Sequence, residues 1–157
     1  MHIPLLFLAL LIPLATPHPR RQLNYCTGDK SKVGYCETLT YIDRTASTKR
    51  SPPTTQECQD TCRLGIFGEA GDWIVTFEDS QPSTYRQNML GWPCGFSIAR
   101  APGQPQNYSF SMNNQDIGDI VDEVLTRFVP LHNGTVAAEG LVQCEGWNAT
   151  WFVERLH

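Results

Sequence analysis

The chain has 157 residues, with 12 Lys and Arg against 16 Asp and Glu and a formal net charge of −4. This length is typical of one domain with a core of its own. The acidic balance argues against nucleic acid and against an anionic membrane as the partner, because both attract basic surfaces.

The N-terminal residues 1–17 predict a secretory signal peptide. Their apolar core of roughly a dozen residues, ending in small and turn-forming residues, has the length of a secretory h-region. It is too short and too interrupted by proline to span a bilayer, so stable membrane insertion is not expected. Residues 18–21 read as a short dibasic pro-segment, and cleavage after Arg21 would start the mature chain at Gln22. We therefore expect a secreted, extracellular protein.

The cysteines and the glycosylation sequons also agree with secretion. In a secreted chain an even number of cysteines predicts disulfides, although the sequence alone leaves their connectivity open. Asn-x-Ser/Thr sequons are acceptors for N-glycans in the secretory pathway. The six cysteines are Cys26, Cys36, Cys58, Cys62, Cys94 and Cys144, and the three sequons begin at Asn107, Asn133 and Asn148.

Residues 22–57 form an N-terminal segment with two of the cysteines. Residues 33–44 are rich in β-branched and aromatic side chains and predict a strand. A polar loop follows at 45–55 and contains a second dibasic pair, Lys49–Arg50. Two interpretations are open, a processing site after Arg50 or a solvated loop. Cleavage there would leave two chains joined only by disulfides.

Residues 55–67 predict a short helix capped by Thr54 or Thr55. Cys58 and Cys62 are four residues apart and so share one helix face. We expect each to bond to a different distant cysteine, since a bond within one turn would constrain little, and a metal pair is disfavoured by oxidising secretion. The expected pairing joins Cys94 or Cys144 to this helix and uses Cys26 and Cys36 to tether the N-terminal segment.

Strand-like alternation of apolar and polar residues characterises much of the remaining chain. It predicts strands at 72–78, 94–100, 107–112, 134–144 and 149–156. Small residues at Ala138, Gly140 and Val142 would let a helix approach the sheet. The predicted fold is α+β, a mostly antiparallel sheet with two helices packed on one face. We expect a disulfide-stapled single domain in which residues 22–57 pack with residues 58–157.

The second helix is predicted at 113–128, with Asn113 or Asn114 as its N-cap and Asp116 in its first turn. One apolar stripe has helical spacing and should face the core; it consists of Ile117, Ile120, Val121, Val124, Leu125 and Phe128. Asp119, Asp122 and Glu123 fall off this stripe, so the favoured interpretation is a solvated face. Catalysis would instead require these acids to face each other or a histidine across a cleft, and His132 is the candidate partner.

Catalytic and phosphate-binding motifs are not recognisable in the sequence, which contains neither a Gly-x-Ser-x-Gly elbow nor a His-Glu-x-x-His helix. We therefore predict a protein that is not an enzyme and that needs no cofactor or metal. Trp92 and Trp147 lie in predicted loops, where an indole can contact a ligand or receptor. Packing back onto the core is the alternative for both.

Four features together resemble the fungal necrosis-inducing-factor domain, the family gathered around a secreted effector of a leaf-mould fungus. They are Cys94-x-Phe96, the "QDIGDI" helix start at 115–120, the Arg127-Phe128 helix end, and Gly140-x-x-x-Cys144 followed by an aromatic strand. The resemblance covers about residues 58–157. It implies a cysteine-stabilised effector or toxin-like factor acting at a host or competitor surface, with relatives likened to killer toxins. It supplies no catalytic residues.

Two functions of different class follow. The first is a virulence effector that acts as a monomer, binds an unknown host or cell-wall receptor outside the cell and induces host cell death. A killer toxin acting on rival fungi differs from it only in target. The second is a small secreted hydrolase or nuclease using the helix acids with His132. A histidine without a carboxylate in hydrogen-bond reach would count against the second.

Overall fold

The structure is a computed structural model that describes residues 23–68, 71–91 and 93–156. The predicted signal peptide, the pro-segment with Arg21, and Trp92 lie outside the described residues. In the described residues, two α-helices and antiparallel β-strands form one domain around a single hydrophobic core, which confirms the α+β prediction. Within those three ranges, the helices are too short or too polar to cross a membrane.

The strands of the main sheet are β1 (Cys36–Thr38), β2 (Ile42–Asp43), β4 (Arg86–Leu90), β5 (Gly95–Arg100), β7 (Ala138–Cys144) and β8 (Trp147–Glu154), and those of a second sheet are β3 (Asp72–Phe77) and β6 (Tyr108–Asn113). The main sheet has the order β1-β7-β8-β5-β4, with β2 also paired to β7, and β3 pairs with β6 in the second sheet. Every pair is antiparallel.

The hairpin of β7 and β8 is the centre of the main sheet. Its two turn residues, Glu145 and Gly146, have φ values of 51° and 85°, the left-handed conformation that two-residue hairpins require. Gly140 on β7 leaves room for the Trp151 ring and for the backbone carbonyl of Thr40, which a Cβ would meet at 1.9 Å. The small residue therefore accommodates the N-terminal segment and a tryptophan, where the sequence suggested a helix.

The predicted strand at 33–44 is two short strands, because the ladder is interrupted opposite Leu141. The N–H groups of Leu39 and Thr40 both donate to the carbonyl of Leu141, at 2.8 and 3.3 Å. The N–H of Leu141 in turn donates to the side-chain hydroxyl of Thr40. Here a side-chain hydroxyl replaces the backbone acceptor, and the strand forms a bulge. Pairing with β7 resumes at Ile42.

Strand β4 was not predicted, because its residues 86–88 are polar and carry no apolar alternation. Its Gln87 amide accepts the N–H of Thr76 at 3.0 Å and donates to the carbonyl of Ile74 at 2.7 Å. Both partners belong to β3. The side chain therefore links the two sheets with the hydrogen bonds that a strand backbone would supply.

Helix α1 (Thr55–Thr61) begins with a capping box in which Thr54 and Glu57 exchange hydrogen bonds, and it continues as a π-helical turn at Cys62–Ile66. Its two cysteines have different partners, as the helix spacing predicted. The disulfides are Cys26–Cys62, Cys36–Cys144 and Cys58–Cys94. The helix is thus bonded to the N-terminal segment on one side and to the residue preceding β5 on the other.

Helix α2 (Asn114–Phe128) is capped by Asn113, and its predicted apolar stripe faces the core. Asp119 and Asp122 face the N-terminal segment as well as water. The ammonium of Lys30 contacts both carboxylates, at 2.6 and 3.2 Å, and the Asn24 amide donates to Asp122. The solvated-face interpretation therefore understated their role, because these acids hold residues 24–30 against the helix.

Asp116 is buried at the junction of α2 and the N-terminal segment. Its carboxylate accepts the backbone N–H groups of Tyr35, Cys36 and Asn113, at 3.2, 3.1 and 2.8 Å. Burial raises the pKa of this carboxyl above its ordinary value, against the opposing effect of the three N–H donors. A Cβ on Gly34 would come within 2.0 Å of the carboxylate, so glycine is needed for this approach.

Replacing Asp116 by Asn should lower the free energy of unfolding by about 1 to 3 kcal/mol. The substitution places an amide NH2 where a carboxylate oxygen now accepts a buried N–H, so at least one donor loses its partner. Urea unfolding of the oxidised protein measures the change. The matched control is Asp119→Asn, whose half-exposed side chain predicts a loss below about 1 kcal/mol. Equal losses in the two variants would contradict the junction role of Asp116.

Candidate interaction surface

A groove of about 490 Å³ lies on the face of the main sheet that points away from the core. Trp151 and Val153 of β8 are fully buried in the core, whereas Phe152 and Glu154 alternate to the opposite face and line the groove. The loop after β2 forms one wall. Five cations line the groove, against two carboxylates: Arg44, Lys49, Arg50, Arg86 and Arg155, with Glu139 and Glu154.

The floor of the groove is a stacked pair of side chains. The Arg86 guanidinium lies over the Phe152 ring, with its carbon 3.5 Å from the ring centroid, and it forms an ion pair with Glu154. The pairing of β4 with β5 and of β5 with β8 brings Arg86 across the sheet to this ring. Stacking and ion pairing together hold the guanidinium in one orientation while covering the aromatic ring.

The wall nearest β2 carries Arg44, whose guanidinium is 3.2 Å from Glu139. The backbone N–H of Arg44 donates to Ala137 at 2.8 Å, which continues the pairing of β2 with β7 and positions the side chain. About half of the Arg44 side chain remains exposed, so several of its N–H donors face solvent.

The far end of the groove joins the 45–55 loop to the C-terminal residues. Arg155 contacts Glu57 at 2.6 Å and donates to the carbonyl of Ser51, while Arg50 donates to the carbonyl of Leu156. The hydrogen bond from Arg155 holds the pKa of Glu57 below its ordinary value. In the described parts of the chain, no hydrogen bond or ion pair involves the Lys49 ammonium, which is free to bind a ligand.

Trp147 is the predicted contact tryptophan that lies within the described residues. It is half-buried at the edge of the core and stacks on Tyr108, with ring centroids 5.2 Å apart. This placement matches the packing alternative, and a ligand contact by its exposed edge stays a prediction.

Among the sequons, Asn107 and Asn133 are exposed, whereas Asn148 is half-buried and accepts a hydrogen bond from Gln143. Glycan occupancy also stays a prediction.

The proposed processing site lies on the exposed loop at residues 49–51. Cleavage after Arg50 would separate residues 23–50 from the rest of the described chain. Two disulfides cross that position, Cys26–Cys62 and Cys36–Cys144, so the two chains would remain linked. Cleavage after Arg50 stays a prediction.

His132 has a carboxylate partner, although it is not one of the helix acids. Its Nε2 atom lies 2.6 Å from Asp43 of β2, and the other oxygen of Asp43 accepts the N–H of Thr45. Although partial burial opposes it, hydrogen bonding by His132 and Thr45 sets the pKa of Asp43 below its ordinary value. Sequence reasoning missed Asp43 because it sits in an ordinary strand pattern, far along the chain from His132.

The helix acids have other partners. Asp119 and Asp122 contact Lys30, and Glu123 pairs with Arg127 one turn away on α2. Within residues 23–68, 71–91 and 93–156, no group of three or more His, Cys, Asp or Glu side chains is arranged to hold a metal ion. The acid and base combination that the sequence suggested for a hydrolase is thus replaced by a His132–Asp43 pair outside the helix.

Comparison with known proteins identifies a family. The family model of the Hce2 pathogen effectors, the necrosis-inducing-factor family, matches residues 35–144. The match begins before the segment that carries the sequence resemblance, and it includes both members of the Cys36–Cys144 disulfide. A search of curated proteins found no match. Because the family model covers well over half of the chain, the protein belongs to the Hce2 family of pathogen effectors.

Proposed function

We propose that the protein is a non-enzymatic effector, secreted from the producing cell, that binds a host or cell-surface target and thereby induces host cell death. The match of the effector family to residues 35–144 is the observation that carries this proposal. The signal-peptide pattern at 1–17 and the three disulfides support secretion, because disulfides form and persist in oxidising compartments.

Binding through a fixed surface is supported by how the groove is built. Arg86, Arg44 and Arg155 each have an ion-pair partner that restricts the guanidinium before any ligand arrives. Pre-ordered side chains lose less conformational entropy on association, which favours affinity. Disulfides that cross-link the N-terminal segment, α1 and the sheet keep the same surface in place outside the cell.

A hydrolase is the second candidate, and the His132–Asp43 contact is the observation that favours it. A carboxylate that orients an imidazole is part of many hydrolytic sites. The same pair also joins β2 to the turn after α2, which is a sufficient structural reason for it.

Purified oxidised protein infiltrated into leaf tissue of a candidate host should cause cell death, whereas reduced and alkylated protein should not. The reason is that the binding surface depends on the three disulfides. EDTA treatment should leave the response unchanged. Ion leakage from the leaf measures the outcome, and parallel application to competing fungal cells tests the killer-toxin variant. A response that persists after reduction, or that chelation abolishes, would rule out a folded, metal-independent binder.

Replacing His132 by Gln should leave leaf activity within about twofold of the parent, because the imidazole is assigned a structural role. Loss of a general base typically costs about 10²-fold or more in rate, so the two roles are readily separated. Asp43→Asn is the matched control for the lost contact, and urea unfolding of both variants reports its structural cost. A His132→Gln protein that folds as stably as Asp43→Asn but is inactive in the leaf would favour the hydrolase.

A further inference from the structure

We propose that the groove binds a linear oligosaccharide of uronic acids, held by its carboxylates. This inference rests on the proposed binding function and names the site and the ligand chemistry. The chain is acidic overall, yet five cations line this groove against two carboxylates, and with Glu57, which pairs with Arg155, the cations still exceed the carboxylates by two. Such a local excess of positive charge attracts an anionic ligand.

The groups available to the ligand are cationic donors and oxygen acceptors. The free Lys49 ammonium and the half-exposed Arg44 guanidinium can bind carboxylates. Glu139 and Glu154 line the same groove and can accept hydrogen bonds from hydroxyl groups, while Ser47 and Thr48 at the rim can donate or accept. A uronic acid residue presents one carboxylate and several hydroxyls, so it matches both sets.

An acidic peptide fits less well. The apolar residues of the lining, Phe152 among them, are each less than 10 % exposed, so the groove offers no open pocket for an aromatic or aliphatic anchor. Peptides can also bind by adding a strand to a free sheet edge. Strands β7 and β8, which lie beneath the groove, are paired on both sides, so neither presents a free edge to it.

Nucleic acid fits less well for electrostatic reasons. A polynucleotide carries a phosphate at every residue and is bound by nearly continuous positive charge. Glu139 and Glu154 interrupt the positive charge of this groove, and the net charge of −4 repels a long polyanion outside it. A short oligouronate also carries one charge per residue, but it need not extend beyond the groove. Each of its residues has hydroxyls that can donate to Glu139 and Glu154, whereas the phosphodiester backbone of DNA has no such donors.

The test uses the secreted, oxidised chain, shown by mass to be uncut after Arg50. Calorimetric titration compares a short α-1,4-linked oligogalacturonate, its methyl ester, a polyglutamate peptide and single-stranded DNA. We expect the oligogalacturonate to bind, its affinity to fall as NaCl is raised, and the methyl ester to show no measurable binding. No binding of the oligogalacturonate, equal binding of the ester, or tighter binding of polyglutamate or DNA would overturn the proposal.

Two groove variants and a matched control locate the site. Arg44→Gln and Lys49→Gln should each weaken binding about tenfold, since each removes a charge-assisted hydrogen bond. Arg63→Gln is the control: its side chain is 48 % exposed and lies 3.1 Å from Asp60, against 50 % and 3.2 Å for Arg44 and Glu139. Since the Lys49 ammonium forms no hydrogen bond or ion pair within the described residues, its replacement should leave the fold intact. Equal affinities in the groove variants and the control would overturn the assignment.

The binding measurement and the leaf measurement can contradict the two proposals separately. Cell death caused by a protein that does not bind oligogalacturonate would overturn the groove inference and leave the effector proposal standing. Binding without any response in leaf or fungal cells would support the groove inference and contradict the effector proposal.

Discussion

The rest of the structure depends on the hydrogen bonds that the buried carboxylate of Asp116 accepts. It accepts N–H groups from Tyr35 and Cys36 of the N-terminal segment and from Asn113, the cap of its own helix. One side chain thus accepts the backbone N–H of the residue that caps α2 and holds the backbone in place at the start of β1. Cys36 then continues the connection through its disulfide to Cys144, at the end of β7. The helix, the first strand and the central hairpin are therefore held at one junction.

One face of the central hairpin packs in the core, and the other lines the groove. Its core face is filled by buried side chains such as Val142, Trp151 and Val153. The opposite face carries Glu139, Phe152 and Glu154, each of which contacts an arginine of the groove. Because the inner face is packed and tied to the N-terminal segment, the outer face keeps a fixed shape. The proposed recognition surface is accordingly a consequence of the core and its cross-links.

Local signals in the sequence were sufficient for the helices, for most strands and for the fold class. The capping residues of α2, its apolar stripe and the i, i+4 spacing of Cys58 and Cys62 each depend on neighbours along the chain, and all three agree with the structure. Strand β4 and the interruption of the first strand depend instead on side-chain amide and hydroxyl groups acting as backbone substitutes. Such contacts leave no periodic pattern.

The candidate site was harder to predict than the fold for a related reason. Arg44, Arg86 and Arg155 come from three separate segments, and only the order of the sheet brings them to one groove. The His132–Asp43 contact joins residues 89 positions apart in the same way. Disulfide mapping of the secreted protein by non-reducing digestion and mass spectrometry tests whether Cys36 joins β1 to the end of β7 at the Asp116 junction. We expect the pairs Cys26–Cys62, Cys36–Cys144 and Cys58–Cys94. A pairing in which Cys36 is not bonded to Cys144 would rule out the proposed junction.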